Sequence, residues 1–217
     1  MKTNRAALVS LVGIGVFVAL VLLLHFIKPE LAPSWRFISE YSIGRLGWVM
    51  MLAFFCWSLS CVALVVALRG ELATRSVRIG RVALLAVGVS LAAAGLFAQD
   101  PVTATPDQLT THGTLHAVAS LIGIPGIPVA ALLVGVGLTR HNPEWSRRKR
   151  LVMGTAHLTW ISLIAMVVYL VVMVPEAGGF GPRVQAGWLN RLVVLTYCLW
   201  QVTVGYGALM MSRRAVT

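Results

Sequence analysis

Six apolar runs of about twenty residues recur along this chain, each long enough to cross about 30 Å of hydrocarbon as a helix. They cover residues 6–27, 46–68, 80–98, 113–138, 151–174 and 188–211 of 217. Inside lipid every backbone N–H and C=O has to find its partner within the protein, which leaves helices and closed barrels. The runs are continuous and not alternating, so a barrel is excluded. Only 12% of the residues are charged, too few to cover a soluble surface. The sequence therefore predicts an all-α polytopic integral membrane protein, a bundle of six transmembrane helices forming one domain over residues 1–217. No soluble domain or long linker interrupts it, and no three-plus-three repeat relates the halves. The first run follows Met1-Lys2-Thr3-Asn4-Arg5 and has a signal-peptide look. It extends to Ile27 without an A-x-A site, so we expect a retained first helix that also directs insertion.

Charge sets the orientation. Lys and Arg number 18 against 7 acidic residues, a net charge of +11. Such a balance suits a nucleic-acid partner, but here the basic residues fall in short loops between spans, where they encode topology. They also attract anionic headgroups. With both termini inside, five of the 18 lie outside: Lys28, Arg36, Arg45, Arg183 and Arg191. The expectation is a bacterial inner-membrane protein with cytoplasmic termini, whose partners are membrane lipids and not nucleic acid. Cys56, Cys61 and Cys198 all lie in apolar runs and form no C-x-x-C motif, which fits small buried hydrophobes.

The stretch from Gln99 to His116, QDPVTATPDQLTTHGTLH, differs from every other loop: it holds two carboxylates and two histidines and no Lys or Arg. His112 and His116 are one helical turn apart, so both imidazoles face one way. Three readings follow. In the first the groups are structural: Asp100 ends the third helix, Thr110 or Thr111 caps the fourth, and the histidines bond loop carbonyls or Glu40. In the second, His112, His116 and Asp100 hold a zinc ion, whose water would be a nucleophile near neutral pH. The Glu of an H-E-x-x-H site is missing. In the third, the loop and nearby helix ends form a polar pocket for a lipid headgroup or small polar solute. Its candidates are Glu40, Tyr41, Asp100, His112, His116 and Arg191. The Arg191 fork suits phosphate or carboxylate, or pairs with Asp100 or Glu40. His25 lies near the outer end of the first helix as an interfacial histidine. His157 sits near the inner end of the fifth, too far from this cluster to join it. Pro125 and Pro128 predict a kink in the fourth helix; neighbours commonly repair such breaks, and transporters build sites around them.

Three segments carry a family resemblance: ISEYSIGRLGWVMMLAFF entering the second helix, FAQDP followed by THGTLH entering the fourth, and GWLNRL entering the sixth. Together they resemble the bacterial six-helix membrane family called DUF998, a domain of unknown function, itself distantly similar to Frag/DRAM/Sfk-type membrane proteins. The resemblance covers nearly the whole chain and implies a six-helix fold. It points to Tyr41, Gly44, Gly47, Trp48, Asp100, His112, His116 and Arg191, and implies no activity. Asn190 stands where an acidic residue before the Arg is expected. The H-x-x-x-H pair alone is similar to intramembrane zinc hydrolases of the ceramidase type. The sequence thus favours a membrane protein of undefined role with an outward polar pocket. A metal-dependent lipid hydrolase and a small-molecule transporter are the alternatives.

Overall fold

The computed structural model describes residues 2–71 and 74–214, and every regular element among them is helical. The helices are α1 (Lys2–Ile27), α2 (Gly47–Ala67), α3 (Arg75–Leu96), α4 (Thr111–His141), α5 (Pro143–Arg147), α6 (Lys149–Ala177) and α7 (Ala186–Arg214). All but the short α5 are long and apolar enough to cross a membrane, which makes this a multi-pass membrane protein.

The helices outrun the apolar runs that announce them. α3 begins at Arg75, not near residue 80, because the Thr74 side chain caps it, accepting the Val77 N–H at 3.3 Å. α4 continues to His141. The basic loop expected after it is folded: Asn142 Oδ1 accepts the Glu144 N–H at 3.0 Å and starts α5, which buries Trp145 completely. Hydropathy stops marking a helix at the headgroups, whereas its backbone ladder runs on as long as a cap satisfies its end.

The long helices form a closed ring. α1, α2, α3 and α4 pack in chain order, α4 meets α6, α6 meets α7, and α7 returns to α1. The α3–α4 seam is the most extensive. Buried polar groups join the ring across its middle. Gln201 on α7 donates to Ser60 Oγ at 2.6 Å and accepts from Trp57 Nε1 at 3.0 Å. Ser60 in turn bonds the backbone carbonyl of Ser10 on α1 at 2.5 Å. Such groups hold membrane helices where the hydrophobic effect cannot, since lipid is as apolar as the helix surface. α6 is the helix least covered by its neighbours: 22% of its span is buried, against 67% for α7.

α4 runs through Pro125 and Pro128 without a break in its helical assignment. Pro128 brings no N–H to the carbonyl of Ile124, four residues back. Tyr197 on α7 supplies the missing donor, its hydroxyl 2.7 Å from that oxygen. A neighbouring helix repairs the ladder, as a hydrocarbon setting requires.

Candidate functional site

Between the N-terminal half of α4 and the C-terminal half of α6 lies a cavity of about 840 Å³. Its apolar wall includes Leu121, Ile124, Leu163, Met166, Val167 and Leu170. Leu121 and Val167 are also 76% and 48% exposed. Leu121 is ten residues into α4, about 15 Å from its first turn, so this exposed surface lies at hydrocarbon depth. The cavity therefore opens on the side of the bundle, between exposed apolar side chains. Its polar lining comes from Ser39, Gln99, Asp100, Thr114, His116, Ser120 and Asn190. A smaller chamber of about 80 Å³ shares His116, Ser120 and Asn190 and continues inward to Trp57 and Tyr197.

The outer wall is built by Asp100. Its two oxygens accept the Thr110 N–H and hydroxyl, each at 2.8 Å. Thr110 Oγ1 then accepts the Gly113 N–H at 3.0 Å and caps α4. A carboxylate at this end also complements the helix dipole. The fit is close: a Cβ on Gly113 would stand 1.9 Å from Asp100 Oδ2, so a larger residue here would displace the carboxylate from Thr110. One turn on, His116 is buried, and its Nδ1–H donates to the Phe97 carbonyl at 2.8 Å. Its ring meets Phe54 edge-on. His112 is exposed and sets its ring against Phe97.

Asn190 Oδ1 accepts the Ile38 N–H at 3.0 Å, which tethers α7 to the turn before α2. Its amide nitrogen is left as a donor at the cavity. Gln99 Oε1 accepts the Ser39 hydroxyl, so the Gln99 amide nitrogen is a donor too. The Ser120 hydroxyl has no hydrogen-bond partner among the described residues.

Glu40, Tyr41 and Arg191 form the framework beside the cavity and do not line it. Glu40 has no exposed surface. It accepts Arg36 at 2.7 Å, the Phe37 N–H at 2.9 Å and the Val102 N–H at 3.0 Å, tying the α1–α2 segment to the α3–α4 loop. Arg36 also stacks on the Trp35 ring. Arg191 pairs with neither Asp100 nor Glu40, and no phosphate-binding fork is left free. Its donors go to His25 Nε2 at 2.8 Å, the Arg36 carbonyl at 2.8 Å, the Gly187 carbonyl at 3.0 Å and the Tyr41 hydroxyl at 3.1 Å. His25 receives that bond because its Nδ1–H is directed to the Val21 carbonyl at 2.7 Å. α7 comes this near because Gly187 has no Cβ, which would otherwise stand 2.3 Å from the Pro33 carbonyl oxygen. Lys28 is buried alongside and donates to the carbonyls of Tyr41 and Ile43. Burial holds its pKa below the usual lysine value, with Glu30 pulling the other way.

The expected zinc set is not assembled. Among the described residues no three His, Cys, Asp or Glu side chains come together as a metal group. Asp100 is taken up by Thr110, His116 by Phe97, and His112 lies outside on Phe97. Of the six residues expected at an outer pocket, Asp100 and His116 line the cavity. Ser39, Gln99, Thr114, Ser120 and Asn190, none of them among the six, join them. Asn190 stands in the GWLNRL segment that the sequence singles out, whereas Ser120 is marked only by interrupting an apolar helix face.

The same chain matches the model described as "Protein of unknown function (DUF998)" over residues 11–207. It belongs to the DUF998 family. No curated protein and no solved structure matches it. In this DUF998 chain the cavity opens between apolar side chains, and Glu40 and Arg191 beside it are bonded within the framework.

Proposed function

We propose that this DUF998 protein binds a membrane lipid from the side, with an acyl chain between α4 and α6 and the polar end among Ser39, Gln99, His116, Ser120 and Asn190. The observation that carries the reading is the cavity's opening through the exposed apolar side chains Leu121 and Val167 onto a half-buried polar floor that ends at the buried His116. Its volume falls within the range of about 300–1,000 Å³ typical of sites that bury most of one small ligand. The protein would sit in a bacterial inner membrane with both termini cytoplasmic. Arg69, Arg75, Arg78, Arg81, Arg140 and the run Arg147–Arg150 gather at one end of the bundle, and this supports that orientation. The lipid would then enter from the outer leaflet.

The test is photocrosslinking of the full-length protein in phosphatidylcholine bilayers with a lipid carrying a diazirine in its acyl chain. Label should concentrate on Leu121, Ile124, Leu163, Met166, Val167 and Leu170, and Leu163→Trp should reduce it severalfold by filling the cavity. Label spread evenly over the lipid-facing sides of α1, α3 and α6, unchanged by Leu163→Trp, would overturn the reading.

A further inference from the structure

The charges around the cavity say which lipid it takes. No Lys or Arg lines it, and its one formal charge is the carboxylate of Asp100. The cations of the neighbouring framework are held there: Arg36 pairs with Glu40 through Nη1, with its buried Nε unpartnered among the described residues, Arg191 bonds His25, Tyr41 and two carbonyls, and Lys28 bonds two carbonyls. A phosphate placed here would leave water for a low-dielectric site with no counter-charge and an anion at the mouth, the costly way to bury an ion.

Uncharged polar groups, in contrast, find partners. The amide nitrogens of Asn190 and Gln99 are donors, with their own oxygens fixed by Ile38 and Ser39. These suit an ester carbonyl. The Ser120 hydroxyl both donates and accepts. The buried His116 ring, its Nδ1–H held on the Phe97 carbonyl, adds a polar edge beside Ser120. These suit a hydroxyl. Pro125 also brings no N–H to the Leu121 carbonyl, a further acceptor in the wall.

We infer that the occupant is an uncharged glycerolipid with ester carbonyls and a free hydroxyl, a diacylglycerol, and that the cavity discriminates against anionic phospholipids with the same chains. This rests on the lateral lipid-binding reading above.

The experiment is displacement of the crosslinked diazirine lipid by unlabelled dioleoylglycerol or dioleoylphosphatidate in phosphatidylcholine proteoliposomes of the full chain. Dioleoylglycerol should displace half the label at a mole fraction about tenfold lower than phosphatidate, the ratio that one unmet buried polar group produces. Ser120→Ala removes a hydroxyl with no partner among the described residues, so the fold is undisturbed. It should weaken dioleoylglycerol about threefold and leave phosphatidate unchanged. Thr114→Lys places a cation at the exposed edge of the cavity and should strengthen phosphatidate severalfold. If phosphatidate displaces the label as well as dioleoylglycerol, or better, the headgroup inference is overturned and the groove reading stands. If neither lipid displaces it and the label lies outside the groove, both fall.

Discussion

Glu40 and Arg191 carry opposite charges on one face of the bundle, and each is satisfied by different neighbours. Glu40 gathers one guanidinium and two backbone N–H groups with no surface left exposed. Replacing it by Gln keeps the shape but removes the charge that Arg36 requires. We expect Glu40→Gln to lower unfolding stability by about 2–4 kcal/mol, read as a shift in the denaturation midpoint of the purified protein. Arg191 bonds four acceptors in different directions, a geometry that lysine cannot reproduce. Arg191→Lys should therefore destabilise the fold markedly, yet leave lipid labelling per folded molecule unchanged. Reduced labelling with unchanged stability would place Arg191 at the ligand after all. The sequence reveals that these residues are unusual, because an ionisable group near a span is costly and needs a reason. It does not reveal the reason, since a framework charge and a ligand-binding charge read alike until the partners are known. The partners here lie up to 166 positions apart, as for Arg191 and His25.

α4 is the element on which the most depends, for it supplies a wall of the cavity, the capped turn at its mouth and the surface for α3. Its proline pair, Pro125 and Pro128, reads in the sequence as a kink. The tyrosine that restores the broken bond at Ile124 is 73 positions away and has no local signature. Tyr197→Phe should cost about 0.5–1.5 kcal/mol, the scale of a single interhelical hydrogen bond in a membrane protein. Pro128→Ala returns the N–H to Ile124, so the double variant should recover most of that loss in a double-mutant cycle. Additive losses would show that the hydroxyl does not repair the ladder. Helix count and order are legible from apolar length alone. Helix ends are not, because Thr74 and Asn142 extend the ladder into sequence that hydropathy reads as loop. The cavity is harder still: of the six candidates only Asp100 and His116 line it, while Ser120 is an ordinary residue made significant by what α6 leaves uncovered.

For the whole molecule, the uneven distribution of Lys and Arg is the strongest topological statement in the chain. It predicts that a cysteine at Asp107, in a background lacking Cys56, Cys61 and Cys198, is labelled by an impermeant maleimide in intact cells. A cysteine at Arg140 should react only after permeabilisation, and the reverse pattern would invert the topology. The ring of helices has one loosely covered member, α6, and the cavity lies along its seam with α4. A site entered through that seam is reached by two-dimensional diffusion. Its occupancy depends on the surface density of the ligand in one leaflet, and aqueous concentration does not enter. Detergent would then act as a competitor as well as a solvent, and a dissociation constant for this protein has meaning only as a mole fraction of bilayer.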